Sequence, residues 1–210
     1  MTNLIQDVKP RVIVSAYVEA PFDIALKTFK KNNYRLISLE ENARLRMQEG
    51  KDAYCSKNGN WVKEDFIYVK GKGVYLSKNF PICENPEQAT ACHKNIQEFY
   101  LTNEQVEKSL EDSILLSRNA NDFEILTSDF KNNKITNYAF GEHAEDYGKF
   151  LKEAEIKNMP ILFISFRDKP FARKAWFGSL DSRSSFVSCG DFEDGGEGLN
   201  LNFRSRGVKN

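Results

Sequence analysis

The 210-residue chain lacks several things that would declare a function. It has no charge excess, because thirty Lys and Arg balance thirty Asp and Glu. Dedicated nucleic-acid and anionic-membrane binders usually carry a basic surplus, so neither is expected. Its longest apolar run, residues 161–164, falls far short of the ~20 residues that a spanning helix needs. Residues 1–10 hold Asp7 and Lys9 but no apolar stretch of a secretory leader, so no export signal or membrane segment is visible. Location is therefore open between the cytoplasm, display by a non-classical route and a virus particle. Histidines number two, His93 and His143, and no serine sits in a nucleophile motif, so a hydrolytic triad lacks its parts. Four cysteines, Cys55, Cys83, Cys92 and Cys189, form no C-x-x-C pair. Without those short knuckles a structural zinc site is not expected. The reading is buried thiols, with a disulfide as the alternative and Cys83, Cys92 and His93 as the one local cluster. Gly71-Lys72-Gly73 is not followed by the residues of a phosphate-binding loop and reads as a hairpin turn. Glu142, His143, Glu145 and Asp146 crowd a helix start, where acids suit the dipole better than they suggest a metal. No cofactor and no metal are expected.

What the chain does have is globular texture: 40% hydrophobic, 12% aromatic and 29% charged residues, enough to bury a core at this length. Residues 12–18 are β-branched and aromatic and predict a strand. Pro21 then opens a helix through Ile24, Leu26 and Phe29, which the Asn32-Asn33 pair stops. Ser38 and Glu41 form a capping box for a second helix with Leu39, Ala43, Leu45 and Met47 on its apolar face and Gly50 at its end. Residues 58–76 predict a β-meander whose outer lysines would blunt an exposed edge. Pro81, Asn85 and Pro86 mark a change of texture. A second capping box, Thr102 with Gln105, follows; residues 119–137 suggest loops and short strands, and residues 141–157 a helix. The run 159–166 predicts a strand buried on both faces. A division near Asn85 is conceivable, but the expectation is one domain, residues 1–210, with 79–158 as an insert.

The last stretch is the anomaly. No lysine occurs from Ala175 to Val208, although the rest is lysine-rich, and of the residues from Phe177 to Ser205, sixteen of twenty-nine are Ser, Gly, Asp or Asn. A flexible linker would lack the anchors Trp176, Leu180, Phe186, Phe192, Leu199, Leu201 and Phe203 that recur through it. Small polar residues adapt a surface to many partners while interleaved apolar residues hold the backbone, so this composition suits a recognition surface. Plain hairpin turns are the alternative.

Three blocks of this stretch form one pattern: Ala175-Trp176-x-Gly178-x-Leu180-x-x-Arg183-Ser184-x-Phe186, Gly190-x-Phe192, and Gly198-Leu199-x-Leu201-x-Phe203-Arg204-x-Arg206-Gly207-Val208. This resembles the variable region of the target proteins of diversity-generating retroelements, in which adenine misreading during reverse transcription varies scattered positions between fixed ones. Tyr34-Arg35-Leu36, Ser38, Glu40, Glu41, Ala43 and Arg44 resemble a stretch of the formylglycine-generating and related lectin-fold families, with Ile37 in place of a proline. The resemblance implies an α+β, C-type lectin-like fold with small antiparallel sheets, two N-terminal helices and an inserted middle segment. It also implies that residues 175–208 are a variable binding region whose ligand is a macromolecule, expected to be a protein. The varied, ligand-contacting positions would be Phe177, Ser179, Asp181, Ser182, Ser185, Val187, Ser188, Asp191, Asp194, Gly195, Gly196, Asn200 and Asn202. Each of these residues is reachable from an Asn codon by changing its first two bases, which can never produce Lys. Trp176, Leu180, Phe186, Phe192, Leu201 and Phe203 would be buried, while Phe177 and the polar variable positions would face solvent. The two chain ends would pair in one sheet. An enzyme of the formylglycine-generating type is the rival reading, and only Cys189 is placed for its paired cysteines; a structural or phage-associated protein is another.

Overall fold

A computed structural model describes residues 4–6, 13–180, 187–188 and 204–209. The first elements follow local rules. After β1 (Ile5–Gln6) and β2 (Ser15–Glu19), Pro21 caps α1 (Phe22–Lys31), which buries Phe22, Ala25 and Phe29 along one stripe. Asn33 takes a positive φ of 62° and turns the chain into β3 (Tyr34–Leu36). The expected capping box is present at α2 (Leu39–Glu49): the Ser38 hydroxyl accepts from the Glu41 N–H, and the Glu41 carboxylate accepts from the Ser38 N–H. Gly50, at φ 93°, ends the helix. The buried face of α2 carries Leu39, Ala43 and Leu45 as read, together with Asn42 and Arg46. A single turn, α3 (Tyr54–Lys57), leads into the hairpin of β4 (Asn60–Val69) and β5 (Gly73–Ser77).

Residues 79–158 supply α4 (Pro81–Glu84), α5 (Pro86–Lys94), β6 (Phe99–Tyr100), α6 (Asn103–Glu111), β7 (Ser113–Ser117), β8 (Phe123–Leu126), α7 (Lys134–Phe140) and α8 (Ala144–Glu153), with β9 (Asn158–Leu162) starting at their end. The second capping box, Thr102 with Gln105, starts α6 as expected. The last three strands are β10 (Phe171–Phe177), β11 (Val187–Ser188) and β12 (Arg204–Lys209).

The chain ends pair as the sequence led us to expect. β12 runs antiparallel to β2 from Arg204↔Glu19 to Val208↔Ser15, and also pairs with β3. Gly207 is needed there, because a Cβ would stand 2.8 Å from the Phe29 ring. β4 lies inside the sheet, antiparallel to β5 and β10 and touching β12 in parallel at Ser205↔Trp61. Its alternation feeds two cores. Val62, Phe66 and Tyr68 join the larger one with Leu45, Phe140, Tyr147 and Phe177, while Trp61, Ile67 and Val69 join the one under α1 and α5 with Phe29, Phe99 and Trp176. Residues 79–158 thus furnish much of the larger core.

Two readings of the strands are corrected. β4 is no exposed edge for lysines to blunt; with neighbours on both sides it is buried along its length except at half-buried Lys63. The run 159–166 is a strand only to Leu162, and it alternates, with Met159 and Ile161 buried and Leu162 exposed. It lies near a sheet margin, paired with short β8 and β11, so one face meets solvent. No helix among the described residues is long and apolar enough to cross a membrane.

Candidate binding surface at the roots of residues 181–203

Sheet register places the roots of residues 181–203 together. β10 ends at Phe177 opposite Asn60, the first residue of β4; β12 starts at Arg204 opposite Glu19, the last residue of β2; Ser205 meets Trp61. β11 lies between β10 and β9, with Val187 opposite Phe177 and Ile161, and Ser188 opposite Trp176 and Leu162. One end of the sheet therefore carries both points where the segment leaves and rejoins.

The upstream root is built into the core. The Phe177 ring is fully buried against the Arg46 guanidinium at 4.0 Å, with Phe140 and Tyr147 at 5.9 and 6.0 Å. Arg46 Nη2 donates to the Gly178 carbonyl at 2.6 Å, and its Nη1 donates to the Tyr147 hydroxyl at 3.3 Å. A buried guanidinium is costly unless its N–H groups are met, and here the Gly178 carbonyl and the Tyr147 hydroxyl meet the two terminal nitrogens while the Phe177 face covers the cation. The Leu180 N–H donates to the Ser56 carbonyl at 2.8 Å. Trp176 packs edge-on to Trp61 at 5.0 Å, and its indole lies 2.7 Å from where a Cβ on Gly59 would stand, so only glycine fits. Beside Trp61, Asn60 accepts from the amide of buried Asn42 on α2 at 2.9 Å.

The downstream root lies at the surface. Tyr17 and Tyr54 stack with centroids 4.8 Å apart, and the Arg204 guanidinium lies 4.9 Å from the Tyr54 ring and 5.6 Å from Tyr17. Arg204 Nη2 pairs with Glu19 Oε1 at 2.7 Å. Burial and a hydrogen bond with Tyr17 push the Tyr54 phenol up to about 12, against the opposing charge of Arg204, although the Tyr54 side of the stack remains open, with 41% of the residue exposed. Arg206, fully buried, lies on Tyr17 at 5.7 Å.

Polar groups also lie inside, away from this surface. Lys174 Nζ meets Asp65 Oδ1 at 2.5 Å, the Lys63 carbonyl at 2.8 Å and Cys83 Sγ at 3.2 Å. Burial opposes the charged ammonium, but Asp65 and Cys83 hold its pKa above the ordinary value; burial also pushes the Cys83 thiol up to about 11. Glu64 accepts from the Leu39 N–H at 3.0 Å, and burial pushes its carboxyl up to about 7 despite that bond and the charge of Lys174. Cys55, Cys83 and Cys92 are thiols outside any disulfide. Among the described residues no group of three His, Cys, Asp or Glu is arranged to hold a metal.

Trp176 and Leu180 are buried as expected. Phe177 is the correction: expected at the solvent face, it has no exposed surface, because the pleat turns it toward α2, α7 and α8, where Arg46, Phe140 and Tyr147 close over it. Its burial leaves it no exposed face for a ligand. Ser179 is half-buried; Val187 and Ser188 lie in β11. Asp181, Ser182, Ser185, Asp191, Asp194, Gly195, Gly196, Asn200 and Asn202 lie outside the described residues, as do Phe186, Phe192, Leu201, Phe203 and Cys189. Sequence reasoning missed Arg46, Tyr17, Tyr54 and Ser56. Arg46 did leave a signal, since Leu39, Asn42, Ala43 and Arg46 follow the i, i+3, i+4, i+7 spacing of a buried stripe.

No family model and no curated protein matches the chain. It is similar to a solved structure described as the accommodation of massive sequence variation in Nanoarchaeota by the C-type lectin fold: the alignment covers 97% of this chain and 99% of that one, with a TM-score of 0.67 at 13% identity. At that identity the likeness speaks for architecture, and the mixed helix–sheet arrangement with its paired chain ends agrees with it: the chain has a C-type lectin fold.

Proposed function

We propose that this is a non-enzymatic ligand-binding protein that displays a diversified recognition surface on its C-type lectin scaffold. The surface would be carried by residues 181–203, flanked by Ser179 and a rim of exposed Tyr54 and Glu19 with half-buried Arg204, and its ligand would be a macromolecule, most simply a protein. One observation carries the reading: both roots of the segment are held by groups outside it, the Arg46 side chain and the Ser56 carbonyl upstream and the Tyr17, Tyr54 and Glu19 side chains downstream. A scaffold that grips the ends, and pairs β11 into the sheet between them, leaves the rest of the segment to serve recognition. The segment's Ser, Gly, Asp and Asn content suits adaptable polar contacts. A solved structure of this fold is itself described as accommodating massive sequence variation, which supports the reading by analogy of fold.

The coding DNA tests it. The expected finding is an imperfect repeat of the gene's 3′ end, differing at adenines and lying near a reverse-transcriptase gene, with substitutions among related isolates gathered at codons 179–202. A segment identical across isolates, with no such repeat, would sink the proposal.

A further inference from the structure

Both roots of the segment converge on one element. α3 is only a turn long, yet its Ser56 carbonyl takes the Leu180 N–H upstream, and its Tyr54 ring lies under the Arg204 guanidinium downstream. α3 is itself held: Ser56, fully buried, donates from Oγ to the Gly50 carbonyl at 2.7 Å, and Cys55 is buried in the larger core. The short helix therefore belongs to the scaffold.

The downstream grip has a chemistry that arginine alone satisfies. A planar guanidinium can lie on an aromatic face and aim an N–H at a carboxylate in one conformation, whereas a lysine ammonium is a point charge without a stacking plane. Arg204 does both, toward the Tyr17–Tyr54 stack and toward Glu19. None of Tyr17, Glu19 and Tyr54 comes from the segment. For a flexible loop whose ends are held independently, the cost of bringing the ends together is set chiefly by its length, and the pairing of β11 between them is made by main-chain groups that every residue but proline carries.

We infer that α3 staples the two ends of residues 181–203 and that Arg204 is its positioning residue, so that the stability of the scaffold is uncoupled from the identity of the residues between. This rests on the function proposed above and adds to it the device by which the recognition segment tolerates change.

A panel of full-length variants tests this without any ligand. Each carries different residues at Asp181, Ser182, Ser185, Asp191, Asp194, Asn200 and Asn202, and the panel is built in four backgrounds: the parent, Arg204→Ala, Tyr54→Ala and Tyr54→Phe. The readout is the spread of melting temperatures within each background. The spread should be narrow in the parent and in Tyr54→Phe, which keeps the ring. It should widen about threefold or more in Arg204→Ala and Tyr54→Ala, where segment and scaffold become coupled. If Arg204→Ala lowers every variant equally and leaves the spread unchanged, the staple is overturned while the recognition reading stands. A spread already wide in the parent would overturn both. Should Arg204→Ala fail to fold, Arg204→Lys, which keeps the charge toward Glu19 but lacks the stacking plane, carries the same comparison.

Discussion

At the upstream root of residues 181–203, Arg46 has no exposed surface and Phe177 none either; at the downstream root the Arg204 side chain is 21% exposed and its partner Glu19 46%. Both roots use a guanidinium on aromatic rings, but in different solvents. Inside the core, every N–H of Arg46 left unmet would be costly, and the cation and Phe177 ring lock each other in place. At the surface, water can replace either partner of Arg204 and salt screens the pair, so the same groups make a grip that is specific in geometry and modest in energy. The lesson is that one end of the segment is fixed by burial and the other by directional contacts.

The largest test of that contrast is truncation on each side. Phe177→Ala should cost about 3–5 kcal/mol, as expected for a buried phenylalanine whose cavity cannot collapse, whereas Tyr54→Ala should cost about 1 kcal/mol or less at a surface contact. Denaturant melts of both decide, and equal losses would erase the distinction between the roots.

Next in size is pH. Glu64 receives the first N–H of α2, the helix that carries Arg46, and its carboxyl is raised by burial from the ordinary 4.5 to about 7. The folded state therefore binds a proton that the unfolded state releases between those values, so stability falls as pH rises through that window. The loss is on the order of 3 kcal/mol. In Glu64→Gln, which keeps an acceptor for Leu39 without the charge, this slope should flatten; denaturant melts at pH 5 and pH 8 check it, and an unchanged slope would assign the effect to other groups.

At the downstream root the sensitivity should be to salt. Removing the pair with Glu19→Gln should cost about 0.2–1 kcal/mol at low ionic strength and nearly nothing at 1 M salt. A cost that persists in high salt would mean that the downstream grip resembles the buried one.

A comparably small effect lies away from both roots. Ile96 ends α5 with a φ of 56°, its N–H bonded to the His93 carbonyl at 3.0 Å and the Gln97 N–H to the Cys92 carbonyl at 2.8 Å, while 76% of the residue is exposed. That is a helix terminus made for glycine and occupied by a β-branched residue. Ile96→Gly should gain about 1 kcal/mol in a thermal or denaturant melt and leave the behaviour of both roots unchanged. A loss would show that the Ile96 side chain has a packing role.

The parts legible in the sequence are those that a few neighbouring residues decide. Ser38 with Glu41 and Thr102 with Gln105 start their helices because a side chain meets an orphan N–H three residues on, and Gly50 ends α2 because it accepts a positive φ. The pairing of the chain ends was likewise anticipated, through the pattern ending in Arg204-x-Arg206-Gly207-Val208. The candidate site was legible only in part. Its composition marked the segment, but alternation in the chain could not say which neighbours each side chain would meet.

Phe177 shows the boundary. Its place in the pattern suggested a solvent-facing anchor, and the decision fell to Arg46, Phe140 and Tyr147, residues 131, 37 and 30 positions away in the chain and brought to it by α2, α7 and α8. Lys174 and Asp65 were likewise unremarkable as sequence; adjacent strands made them a buried ion pair. The sequence by itself determined where α1, α2 and α6 begin, where α2 ends and that its last stretch differs in kind from the rest, because capping, turn chemistry and composition are local. Only the tertiary structure decided which arginine is buried, which ring is covered and which residues grip the ends of residues 181–203, because burial and charge pairing depend on elements that meet only when the sheet is assembled.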